Sequence, residues 1–160
     1  MLRRTSLLLI ALVALLAAAP AAQADDASVY KEWTRENTTL GKLETALGKN
    51  LKSWTDSGGK KGAPALERIV KIRTLIARRK KAVTEEDPST GAGGTGRKNA
   101  LAALRDYDAA MLKLRSAINA GMDGKSKSAN AYLKQYDALI ARSKKYEARA
   151  QDAFEDAGVA

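Results

Sequence analysis

The chain has neither cysteine nor histidine. Their absence removes haem ligation by either residue, the usual zinc sites, and the Ser-His-Asp and Cys-His nucleophile arrangements. The di-iron sites of helical proteins need a Glu-x-x-His pair on each of two helices, so they are removed as well. Without disulfides, stability has to come from an apolar core. Prolines number three and phenylalanine occurs once. Strand-like alternation is hard to find, and after residue 24 no run is apolar enough to span a bilayer, which takes about 20 residues. No cofactor is expected. Met111 and Met122 read as core filler.

What is present begins with an export signal. Arg3 and Arg4 form a positive start, Leu7 to Ala19 an apolar stretch too short for a span, and Ala22-Gln23-Ala24 a small-x-small cleavage site. The expectation is a secretory signal at 1–24, cut after Ala24, and a single domain at 25–160 that is exported to the periplasm, cell wall or extracellular space. Retention of the segment as an anchor is the alternative. The lack of cysteine excludes lipid attachment to a cysteine after the signal.

Apolar residues then recur at helical spacing. Trp33, Leu40, Leu47 and Trp54 stand seven apart, as do Ile69, Ile76 and Val83, then Leu104, Met111 and Ile118, then Tyr132, Leu139 and Tyr146. Breaks fall at "DSGGKKGAP", "EEDPSTGAGGTG" and "GMDGKSKS". Pro64 suits a first helical turn, Asn99 an N-cap and Gly121 a stop. The pattern predicts an all-α, up-down-up-down four-helix bundle with helices at about 28–55, 64–86, 98–121 and 127–157. A helical hairpin that completes its core by dimerising is the runner-up.

"GAGGTGRK" (91–98) imitates a phosphate-binding loop. Gly91 and Gly96 have the separation, but Arg97 stands where the lysine belongs, Asn99 replaces the hydroxyl, and no strand precedes it. It reads instead as a flexible linker. Asp106 and Asp108 are two apart and point about 200° from one another on a helix, so they cannot share a proton. With Asp152, Glu155 and Asp156 read as a solvated cluster, no catalytic residues emerge and the chain reads as a non-enzyme.

Charge is the remaining signal. The mature chain carries a net +8, and up-down topology puts all of it at one end: residues 49–71 and 113–134 each sum to +4. Lys52, Lys60, Lys61, Lys125 and Lys127 are therefore the candidate contacts for an anionic partner such as anionic lipid, wall polymer or an acidic protein. Export argues against nucleic acid. Trp54, Tyr132 and Tyr136 are the candidate aromatics of a pocket, placed nearer one end than mid-bundle. The expected function is a binding or interaction protein acting through its lysine-rich end. The alternatives are a carrier of a small apolar ligand between the helices and a self-associating, chaperone-like assembly. "RRKK" (78–81) winds round one helical turn and makes no single-sided patch.

Overall fold

A computed structural model of the chain describes residues 25–160; the export segment expected at 1–24 lies outside the described residues. The described chain is all-helical. A short helix, α1 (residues 25–34), leads into four long ones: α2 (Asn37–Asp56), α3 (Ala63–Glu85), α4 (Gly91–Met122) and α5 (Ser126–Asp156). None of them is long and apolar enough to cross a membrane.

Each helix packs on the next in sequence, α2 on α3, α3 on α4 and α4 on α5. Cross-links between them show that neighbours run antiparallel. Asn50 Nδ2 donates to the Pro64 carbonyl at 3.1 Å while Arg78 pairs with Glu36 at 3.6 Å. The Arg73 guanidinium reaches Asp108 at 2.7 Å, and Arg142 reaches Asp106. Asp106 and Asp108, facing opposite ways on α4, thus hold different neighbours. Asp106 is 1% exposed. Burial alone would raise its pKa, but the hydrogen bonds and charges of Arg142 and Arg105 outweigh that and hold it below the ordinary carboxylate value.

The seven-residue seams of α2, α3 and α4 are buried as their spacing requires: Leu47 and Trp54, then Ile69, Ile76 and Val83, then Leu104, Met111 and Ile118. Three expectations need correction. First, the helix predicted over 28–55 is broken after Thr34, where Glu36 takes a left-handed φ of 63° with no side-chain cap. Trp33 still joins the core, from α1.

Second, α5 does not bury Tyr132, Leu139 and Tyr146 at its centre. Its buried positions are Ala129, Ser143, Ala150, Ala153 and Phe154. Small side chains there face Ala100, Ala103, Ala110 and Ala117 on α4, all buried, and let the two backbones approach closely. Ser143 Oγ donates across the seam to the Ala103 carbonyl at 2.9 Å. Tyr132 is half-buried, with Lys113 Nζ of α4 5.8 Å from its ring centre.

Third, "GAGGTG" is not a linker. α4 starts at Gly91, seven residues before the predicted start at about 98, and the cap is Thr90 rather than Asn99: its hydroxyl accepts from Gly93 N at 2.9 Å. Glycine is placed there by contact. A Cβ on Gly96 would stand 2.8 Å from the Phe154 ring, and one on Gly93 would land on the Asp26 carboxylate. Asp26 is fully buried; it accepts from Ser89 N at 2.9 Å and from the Thr90 hydroxyl. A carboxylate against the first turn of α4 suits the helix dipole. Arg97 is engaged within the fold, donating to the Val83 and Thr84 carbonyls at the C-terminal end of α3.

Two ends result. At one, loop 57–62 lies on the end of α4, where a Cβ on Gly59 would sit 3.1 Å from the Gly121 carbonyl oxygen, beside loop 123–125. At the other, α1 meets loop 86–90 and Phe154. The Tyr30 and Phe154 rings are edge to face at 5.4 Å, and Trp33 stacks on Phe154 at 5.6 Å.

Candidate ligand cleft and basic end

The close pairing of α4 with α5 leaves α2, which packs on α3, without a matching approach to α5. Between them lies a cleft of about 380 Å³, within the range of about 300–1,000 Å³ usual for small-molecule sites. Leu104, Tyr107 and Met111 of α4 form its floor. Leu40, Leu47 and Leu51 make one wall and Tyr136 and Ile140 the other, with Trp33 at one end. Glu44, Gly48, Lys144 and Glu147 line its remaining border. The lining is therefore apolar and aromatic, with polar groups contributed by both α2 and α5.

Both phenols are held neutral. Burial raises the Tyr107 pKa far above its usual value, and its hydroxyl donates to the Glu44 carboxylate, which raises it further. Tyr136 is also pushed up, first by burial and then by the charges of Asp137 and Glu44. Neither can act as a base. Tyr107 fixes Glu44 in place on the α2 wall.

Arg79 of α3 also lines the cleft, and it is 5% exposed. Its Nε is sealed from solvent and has no hydrogen-bond partner among the described residues. Burial pulls the guanidinium below the ordinary arginine value, offset in part by the charges of Glu147, Glu36 and Glu44. It remains charged at neutral pH all the same. Beyond Arg79 the cleft is continued by a second hollow of about 430 Å³, which it shares with Trp33, Lys144 and Glu147 and which adds Thr34, Asn37 and Gln151.

Of the aromatics singled out from sequence, Tyr136 lines the cleft. Trp54 does not: it is buried at the lysine-rich end, donating from Nε1 to the Gly59 carbonyl at 2.9 Å. Tyr132 is half-buried beside Lys113 of α4 and is not among the residues that line the cleft. The cleft sits at mid-helix rather than at an end. Arg79 was missed because "RRKK" reads as a run of surface charge. The signal was there in the spacing, since Arg79 follows Ile72 by seven and Ile76 by three, on the buried face of α3.

The five candidate lysines share one end and are all exposed. Lys52 is paired with Asp56 at 2.6 Å and Lys125 with Asp123 at 3.1 Å. A shallow hollow there is lined by Lys49, Lys52, Ser53, Asp56, Ser57 and Lys61. Among the described residues no three acidic side chains gather as they would around a metal ion.

No protein-family model matches the chain, and comparison with curated proteins and with solved structures brings out no significant match.

Proposed function

We propose that this chain is an exported, non-enzymatic binding protein, an up-down-up-down four-helix bundle left open between α2 and α5 to take a small, largely apolar ligand. The observation that carries this reading is the mid-helix cleft of about 380 Å³, walled by Leu40, Leu47, Leu51, Met111, Tyr136 and Ile140. Apolar side chains at an unfilled cleft gain by being covered, at about 25 cal/mol per Å² removed from water. Export rests on the segment at 1–24, and the lack of catalysis on a cleft whose phenols are neutral and whose Tyr107 hydroxyl is already engaged.

Gly48 supplies the test. It borders the cleft, is exposed, and a Cβ there would meet nothing within 4 Å. Gly48→Phe places a ring at the opening without a backbone clash, and replacing a mid-helix glycine favours the helix by a few tenths of a kcal/mol. The neutral dye N-phenyl-1-naphthylamine is expected to bind the wild type saturably, one per chain, and to lose most of that binding in Gly48→Phe at unchanged thermal stability. Equal dye binding by both proteins would sink the reading.

The lysine-rich end supports a second reading, docking onto an anionic surface, because Lys60, Lys61 and Lys127 are exposed and form no ion pair among the described residues. Sedimentation with vesicles containing anionic lipid is expected to fall as salt rises, and to fall at low salt when Lys60, Lys61, Lys125 and Lys127 are changed to Gln. Unchanged sedimentation by that variant discards the docking role.

A further inference from the structure

Two part-buried arginines of this fold have an oxygen to hold: Arg73 has Asp108 and Arg97 has two main-chain carbonyls. The exposed Arg142 has Asp106. Arg79, the arginine most removed from solvent, has none among the described residues. Its position is where the apolar cleft meets the more polar hollow of Thr34, Asn37 and Gln151. A buried donor without a partner is costly, and an acceptor arriving in the cleft would offset that cost.

From this we infer that Arg79 is the headgroup receptor of the cleft, and that the ligand is an amphipathic monocarboxylate. Its carboxylate meets the Arg79 guanidinium and its hydrocarbon body lies along Leu47, Leu51, Met111 and Ile140. This rests on the reading of the cleft as a ligand site and adds the ligand's chemistry to it. Three features select the class. A planar guanidinium matches a carboxylate through two parallel hydrogen bonds. Glu44 and Glu147 border the same cleft, so a phosphate monoester with its second charge is repelled where a single charge is accepted. Apolar walls on one side of Arg79 and polar ones on the other orient the molecule tail first toward the lysine-rich end. Lys144, shared by both hollows, adds a second cation beside the head.

The probes are octanoate and octanamide, which share a tail and nearly a shape and differ in charge. Each is titrated into ¹⁵N-labelled protein at neutral pH, following backbone amides of cleft residues and the Arg79 guanidinium N–H resonances. Octanoate is expected to bind at least tenfold more tightly than octanamide and to move the Arg79 guanidinium signals downfield. In Arg79→Met the two affinities should converge, and Arg79→Lys should keep part of the preference. Equal affinities in the wild type, or a preference that survives in Arg79→Met, overturn the inference and leave the cleft standing as a site for neutral ligands. If neither compound shifts the cleft amides, the inference and the reading beneath it fall together.

Discussion

Replacing Arg79 by methionine should make the ligand-free protein more stable. The guanidinium is buried, its Nε has no acceptor among the described residues, and the nearby carboxylates act on it only through their charge. An unsatisfied buried donor costs about 1–3 kcal/mol, more when charged. Methionine keeps an unbranched stem beside Trp33 at the cleft and discards the charge, so a gain of about 2 kcal/mol is expected. For a folded unit of residues 25–160, an unfolding entropy of about 2.1 cal/mol/K per residue makes each kcal/mol worth about 3.5 °C. Tm should therefore rise by about 7 °C in calorimetry. Octanoate at 100 times its Kd should then stabilise the wild type by about 2.7 kcal/mol and the variant far less, closing the gap. A lower Tm for the variant without ligand would refute the reasoning. It would mean that the guanidinium already has a partner, whose removal costs about 3–5 kcal/mol.

Gly96→Ala should destabilise by about 1–3 kcal/mol, read by urea unfolding, because the added methyl would press on the Phe154 ring and the site is already packed. A neutral or stabilising result would mean that the first turns of α4 are looser than the contacts at Gly93 and Gly96 imply. Asp106→Asn should cost about 1–3 kcal/mol at pH 7, since Arg142 and Arg105 lose a charged acceptor. The folded Asp106 pKa lies below its unfolded value, so the unfolded chain takes up the proton first as pH drops. Its contribution is complete above the ordinary carboxylate range, about pH 4, and drains away as pH falls through the lower folded value. Unfolding free energies between pH 5 and pH 2 should thus fall less in Asp106→Asn than in the wild type, and parallel curves would contradict the assignment.

The sequence made the helices legible wherever large apolar residues carry the packing. Ile69, Ile76 and Val83, or Leu104, Met111 and Ile118, mark a buried face because nothing else explains their spacing. It was least legible where packing depends on small residues. Ala129, Ser143 and Ala150 give α5 its contact with α4, yet an alanine or serine signals neither burial nor exposure, so the eye goes to Tyr132, Leu139 and Tyr146. Glycine misled in the same way. Gly93 and Gly96 look like slack in the chain, and only the approach of Asp26 and Phe154, both distant in sequence, shows that they are needed for closeness. The cleft itself follows from α4 and α5 drawing together, which no single helix encodes. Arg79 stood in the open as an interruption of an apolar face, hidden by its charged neighbours.

The open side between α2 and α5 also bears on how the chain finds its structure. Among α2 to α5 the extensive pairings join sequence neighbours, so each forms across a short loop, and α2 makes no matching approach to α5. Non-local contacts close both ends and the middle: Tyr30 and Trp33 of α1 meet Phe154, Tyr107 meets Glu44, and loop 57–62 meets the end of α4. The α4–α5 pairing can then form locally, whereas α1 closes onto Phe154 across most of the described chain. The open side between α2 and α5 and the short connections between paired helices have the same origin in the order of the helices.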